Sequence, residues 1–227
     1  MSGWSVVRWT GVLGLASIAL HVVGYIFLIG GAPGTPPPIE DANKFAAYVK
    51  DSHVAFTTAA ILIFIGIAFF IGFLAGLRAI AAVAAPAYEW LATTALGAGV
   101  AISAIAYVTG GLGVAASAIA VSSHADASQV RLVSETYTLV GGAPFVVQIA
   151  LFMVAAGTLV AATRFLPRWL AWLGWIGSVV ALVTAFSAYG ASDPNAFWSA
   201  NGSVTILAVL PFWAWIVGAS VVFLRRK

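Results

Sequence analysis

Six stretches without a single Asp, Glu, Lys or Arg make up most of this chain: Trp9 to Ile39, His53 to Leu77, Trp90 to Ala125, Thr136 to Thr163, Trp169 to Ser192 and Pro194 to Leu224. A hydrocarbon core about 30 Å thick needs about 20 apolar residues as helix, and every stretch is long enough. In lipid only helices and closed barrels satisfy their own backbone hydrogen bonds, and continuous apolar runs without strict alternation exclude the barrel. The chain therefore reads as an all-α, polytopic membrane bundle. It is a single domain of six transmembrane helices over about residues 9–30, 52–77, 89–109, 134–163, 168–189 and 202–224.

The basic residues between the stretches give the expected orientation. With a cytoplasmic N-terminus, Arg8, Arg78, Arg164, Arg168, Arg225, Arg226 and Lys227 lie inside, and only Lys44, Lys50 and Arg131 lie outside. This is a positive-inside bias, so both termini are expected in the cytoplasm of a multi-pass cell-membrane protein. Glu40, Asp41, Asp51, Asp126, Glu135 and Asp193 all fall outside, although acids contribute little to that rule.

At 62% hydrophobic and 7% charged residues, the net charge of +3 comes from a few arginines beside the membrane, which argues against a nucleic-acid partner. Membrane lipids are the expected partners of that basic side. The absence of cysteine excludes disulfides, thiol catalysis and iron–sulfur ligation. The first stretch exceeds the apolar core of a signal peptide and is read as a retained helix.

Between the first two spans, Pro36, Pro37 and Pro38 cannot continue a helix. After them Ile39 to Lys50 is expected as a short external helix, with acids at its start and lysines toward its end as the helix dipole favours. Ile39, Ala42, Phe45, Ala46 and Val49 supply its apolar face. In the second span Gly72 and Gly76 form a small-xxx-small pair suited to close helix packing within the chain. The third stretch would make about 54 Å of helix, far more than one crossing, so a break is expected at Gly110, Gly111 and Gly113. Val114 to Val121 would then be an interfacial or re-entrant piece. Kinks are expected near Gly141, Gly142 and Pro144 and at Pro211. Trp4, Trp9, Trp90, Trp169, Trp172 and Trp215 form the expected inner aromatic belt, and Tyr189, Phe197 and Trp198 the outer one.

The segment Arg164-Phe-Leu-Pro-Arg-Trp-Leu-Ala-Trp-Leu-Gly-Trp-Ile-Gly177, joining the fourth and fifth spans, resembles the Pro-Arg-Trp-Leu turn of an uncharacterised family of six-helix bacterial integral membrane proteins. The resemblance implies the topology and no activity or catalytic residue. Physically the segment is a surface turn in which Pro167 opens a helix, Arg164 and Arg168 face headgroups, and the tryptophans anchor in the interface.

No Asp, Glu, Lys or Arg lies deep in a span, which disfavours ion coupling through a buried charge. P-loop, GxSxG, HExxH and dinucleotide patterns are absent, and no cofactor is implied. The polar groups at mid-depth are His21, Gln148, Ser103 and Ser178, with Tyr25 and Tyr107 nearer the outside. A neutral imidazole has one donor and one acceptor, which a side-chain amide matches, and His21 and Gln148 lie within about 8 Å of each other in depth at 1.5 Å per residue. A His21–Gln148 bond between helices 1 and 4 is thus one expectation. The other is a pocket for a small apolar or amphipathic molecule, lined by all six of these residues. His53, His124, Asp126 and Glu135 are the residues suited to an outer zinc site, with a membrane hydrolase as the corresponding activity. An accessory role, with a membrane-protein partner or a second copy of the chain, is the remaining alternative.

Overall fold

The computed structural model describes residues 5–189 and 204–226. Every regular element among them is helical, and six helical spans are long and apolar enough to cross a membrane, as in a multi-pass membrane protein. The α-helices in order are α1 (Val6–Gly31), α2 (Ala42–Asp51), α3 (His53–Ala84), α4 (Glu89–Val121), α5 (Ala127–Gly141), α6 (Ala143–Thr163), α7 (Arg168–Ala185) and α8 (Val204–Arg225); α5 and α6 together form the fourth span, and α2 lies between the first two. Trp4, Phe197, Trp198, the expected helix start at Gly202, and Lys227 lie outside the described residues, as does the side chain of Tyr189.

The spans pack in chain order, and α8 closes the ring by returning to α1. The start of α1 and the end of α8 are therefore at one end of the bundle, the termini end, where Cβ at Gly11 would meet Ser220 O of α8 at 2.7 Å. Small residues set the approach of α1 and α3. A Cβ on Gly76 would come 2.9 Å from Thr10 Cβ, and one on Gly31 would come 2.7 Å from Ala55 Cβ at the opposite end of the pair. The Gly72/Gly76 pair thus serves packing inside the chain, because lipid supplies no hydrophobic drive between helices and close van der Waals contact must replace it. At the termini end Arg78 binds Glu89 and donates to Thr93 Oγ1 at 3.2 Å, which fastens the α3–α4 turn. Both partners of that ion pair are about two-fifths exposed, so its contribution is at most about 1 kcal/mol.

The expected break at Gly110 to Gly113 does not occur. Helix α4 runs unbroken through all three glycines to Val121, and at 33 residues it is about 50 Å long. Its last turns pack against α5 and α2 around Val49, Ala116, Ala120 and Val130, a small second core at the end away from the termini. A helix with such a neighbour has no need to stop at the membrane surface. Gly110 is there for space: a Cβ would run into the Phe64 ring of α3. The fourth span likewise starts earlier than residue 134, as α5, and the interruption falls at Gly142 (φ −81°, ψ −117°), just before Pro144. Pro144 lacks an amide hydrogen and is tolerated in the first turn of α6.

Acidic caps start the two short helices of this second core. Asp41 accepts from Lys44 N at 3.3 Å and pairs with Lys44 Nζ at 2.7 Å, and Asp126 accepts from Ser128 N and Oγ, both at 2.8 Å. These bonds hold both carboxyls below the usual carboxylate range. The caps are intact above that range and are lost as the pH falls through the lowered values.

The main core is aromatic at its centre. Phe70 of α3 packs against Phe152 of α6 (6.2 Å between ring centres) and Phe212 of α8 (5.5 Å); Phe152 in turn meets Phe212 at 5.3 Å and Trp215 at 5.4 Å, both edge-on. Trp215 does not belong to the interfacial belt. It is fully buried and donates Nε1–H to Leu170 O at 3.0 Å, whereas Trp9, Trp90, Trp169 and Trp172 are exposed as a belt requires.

Candidate functional site

Just above this aromatic plug, toward the end away from the termini, the ring of helices encloses a chamber of about 50 Å³. Ser17, His21 and Tyr25 of α1 line one side, Ser103 of α4 another, and Phe145, Phe212 and Trp213 of α6 and α8 much of the remainder. Its floor is shared with the plug through Phe70 and Phe212. The volume is enough for one or two waters, each of which occupies about 30 Å³ in the liquid.

His21 is positioned by its own helix. Its Nδ1 is 2.8 Å from Ser17 O, and since a carbonyl only accepts, Nδ1 carries the proton. Nε2 of the neutral ring is then an acceptor, and no hydrogen bond reaches it among the described residues. The ring lies over Gly66 of α3, where a Cβ would come 2.7 Å from Nδ1, and meets Trp213 edge-on at 6.1 Å. Tyr25 stands one turn farther along, 5.7 Å from the same indole and 42% exposed, so that Tyr25 and Trp213 form the chamber's rim.

Of the six expected lining residues, His21, Tyr25 and Ser103 meet at the chamber and Gln148, Tyr107 and Ser178 do not. The expected His21–Gln148 bond is not formed. The depths were compatible, but α1 packs on α3 and α8, whereas α6 packs mainly on α7 and α4. Ser178 donates to Ala150 O at 2.9 Å and ties α7 to α6; Tyr107 donates to Phe64 O at 3.1 Å and ties α4 to α3. Ser103, though in the lining, donates to Gly99 O of its own helix at 2.8 Å.

Sequence reasoning missed Trp213, Phe212, Phe145 and Phe70, since an aromatic ring in a span gives no sign of facing inward. One sign did exist on α8. Pro211 cannot donate to Leu207 O, and Phe212 and Trp213 follow it directly, so the helix segment with a missing bond is the one that lines the chamber.

The residues suited to zinc do not assemble. Among the described residues no group of three or more His, Asp or Glu converges. His53 Nδ1 lies 2.9 Å from Lys50 O, Asp126 caps α5, and Glu135 is held by Arg131 at 2.8 Å.

Comparison with protein-family models, with curated proteins and with solved structures finds no match to this chain. The functional reading rests on the chamber itself.

Proposed function

We propose that this membrane protein binds one small amphipathic molecule in the chamber, with its apolar part against Trp213, Phe212 and Phe70 and a hydrogen-bond donor on His21 Nε2. The observation that carries the reading is an acceptor nitrogen without a protein partner among the described residues in an otherwise largely apolar recess, the combination of apolar walls and few polar groups that marks ligand sites. At about 50 Å³ the chamber is smaller than such a molecule, so binding requires Tyr25 and Trp213 at the rim to turn aside. Binding fits better than passage, because the Phe70, Phe152, Phe212 and Trp215 plug blocks the way to the termini end.

Phenol tests the reading, as a ring with one donor; toluene is the control without one. Phenol is expected to raise the melting temperature of the purified protein and to leave that of His21→Leu unchanged, while toluene acts alike on both. The substitution itself should cost less than about 0.6 kcal/mol, because His21 makes no side-chain bond to another helix. Equal shifts with phenol in the two proteins would remove His21 from the site.

The orientation proposed with this function puts both termini in the cytoplasm and the second core, with the chamber's rim, outside. Arg8, Arg78, Arg164, Arg168, Arg225 and Arg226 all belong to the termini end of the bundle, which supports it through the positive-inside rule. Reporter fusions after Tyr48 and Ser128 are expected to report an external position, and fusions after Ile80 and Leu166 a cytoplasmic one. A cytoplasmic signal at Tyr48 would reverse the assignment. The cell membrane is the proposed location.

A second reading, an accessory subunit that works through helix contacts with a partner or a second copy, is favoured by the same plug. A tightly packed centre is what a structural role requires. Native purification that retains a second chain, with no response to phenol, would select it.

A further inference from the structure

We propose that the outer face of α7, with the turn that precedes it, is a specific site for one anionic phospholipid. Its phosphate sits at Arg164 and Arg168, and one acyl chain lies in a groove formed by Trp172, Trp175, Ile176 and Val179. Three independent observations converge on it.

The first is the groove, a shallow apolar recess of about 280 Å³, wide open on the outside of the bundle and lined by side chains of α7 alone. Its two tryptophans are held. Trp175 donates Nε1–H to Thr158 Oγ1 of α6 at 3.2 Å, and Trp172 stands edge-on against Trp175 at 5.2 Å. With the two indoles already held in place, binding an acyl chain costs less side-chain ordering.

The second is charge. Arg168 lies one turn before Trp172 on the same helical face, and Arg164 lies at the other end of the same turn. Both are exposed, and neither has a carboxylate partner among the described residues. Residues 172 to 179 begin about 6 Å and end about 17 Å along the helix from Arg168, at 1.5 Å per residue. That matches one leaflet, whose hydrocarbon is about 15 Å deep. A headgroup held by the arginines therefore delivers its chain into the groove, which free phosphate would leave empty.

The third is the backbone of Arg164. It is the only residue other than glycine with a positive φ among the described residues (φ 54°, ψ 19°), at the left-handed position that ends α6. Glycine adopts this conformation without penalty and is the usual residue there. An arginine in that place is unfavourable for the fold, and a role for its guanidinium accounts for it.

The test counts lipids retained by the full chain in native mass spectrometry after titration with phosphatidylglycerol or phosphatidylcholine of identical acyl chains. One phosphatidylglycerol is expected to be retained in preference to phosphatidylcholine, and the double variant R164Q/R168Q is expected to lose that preference by about ten- to thirtyfold. Val179→Trp, which fills the groove from an exposed position, should weaken retention of both lipids. Glycerol 3-phosphate, the headgroup without chains, should not compete. R164G separates site from fold: it should lower retention while leaving the melting temperature equal to or above that of the parent. Equal retention of the two lipids by the parent protein, an undiminished preference in R164Q/R168Q, or full competition by glycerol 3-phosphate would each overturn the proposal.

Discussion

Gly174→Leu is expected to be severely destabilised, with most of the protein lost to aggregation and the remainder melting well below the parent. Gly174 of α7 faces Gly157 of α6 so closely that a Cβ on Gly174 would sit 2.7 Å from Gly157 Cα and 2.7 Å from Met153 O. Both neighbours are backbone, and no rotamer change can move them. The two helices would have to separate, with loss of the Ser178 bond to Ala150 O and the Trp175 bond to Thr158 Oγ1. Overpacking costs about 1–3 kcal/mol when side chains can yield, and each interhelical bond in a membrane adds about 0.6 kcal/mol. With backbone in the way the total should exceed about 3 kcal/mol, a large part of the 5–15 kcal/mol available to an ordinary domain. Gly174→Ala is the graded control and should retain a monodisperse but less stable protein. Size-exclusion chromatography and thermal unfolding of the two variants measure this. A Leu variant that melts with the parent would show that α6 and α7 do not meet at these glycines.

Phe212→Ala is expected to cost about 3–5 kcal/mol, the range for truncating a buried aromatic side chain. It should also give the chamber a new ligand. The Phe212 ring is at once part of the plug, 5.3 Å from Phe152, and part of the chamber's lining. Its removal should enlarge the cavity toward the ~150 Å³ of engineered apolar cavities that bind benzene. Benzene should then raise the melting temperature of the variant and leave that of the parent almost unchanged. Without such a difference, the plug would have closed over the lost ring, and the chamber's floor would not be rigid.

These two substitutions lie at positions whose importance the sequence did not reveal. Gly174 is one glycine among 23, and Phe212 one phenylalanine among 14. The polar residues were easier to single out, yet only His21, Tyr25 and Ser103 reach the chamber. Tyr107 and Ser178 donate instead to carbonyls of neighbouring helices. Depth in the membrane follows from counting residues along a helix. Which way a residue points around that helix does not, and it separates His21 from Gln148.

The number of spans and their approximate places were legible because lipid imposes them: every backbone group must be bonded within the helix, and charges are excluded over about 20 residues. The apolar face of α2 was legible too. Of the five residues expected to form it, Val49 is buried with Phe45 and Ala46 packed around it, whereas Ala42 is not part of that cluster and Ile39 precedes the helix. That helix alternates polar and apolar residues, so its sequence distinguishes inside from outside. In the spans both faces are apolar, since lipid is as apolar as the protein interior, and the contacts that choose one face over the other are those of shape. Only the tertiary structure could decide that α4 continues past Gly113 onto α5, that Trp215 is buried in the core, and that His21 lies over Gly66 beside Trp213. Close packing of glycines and aromatic rings selects these arrangements, and hydropathy carries no record of it.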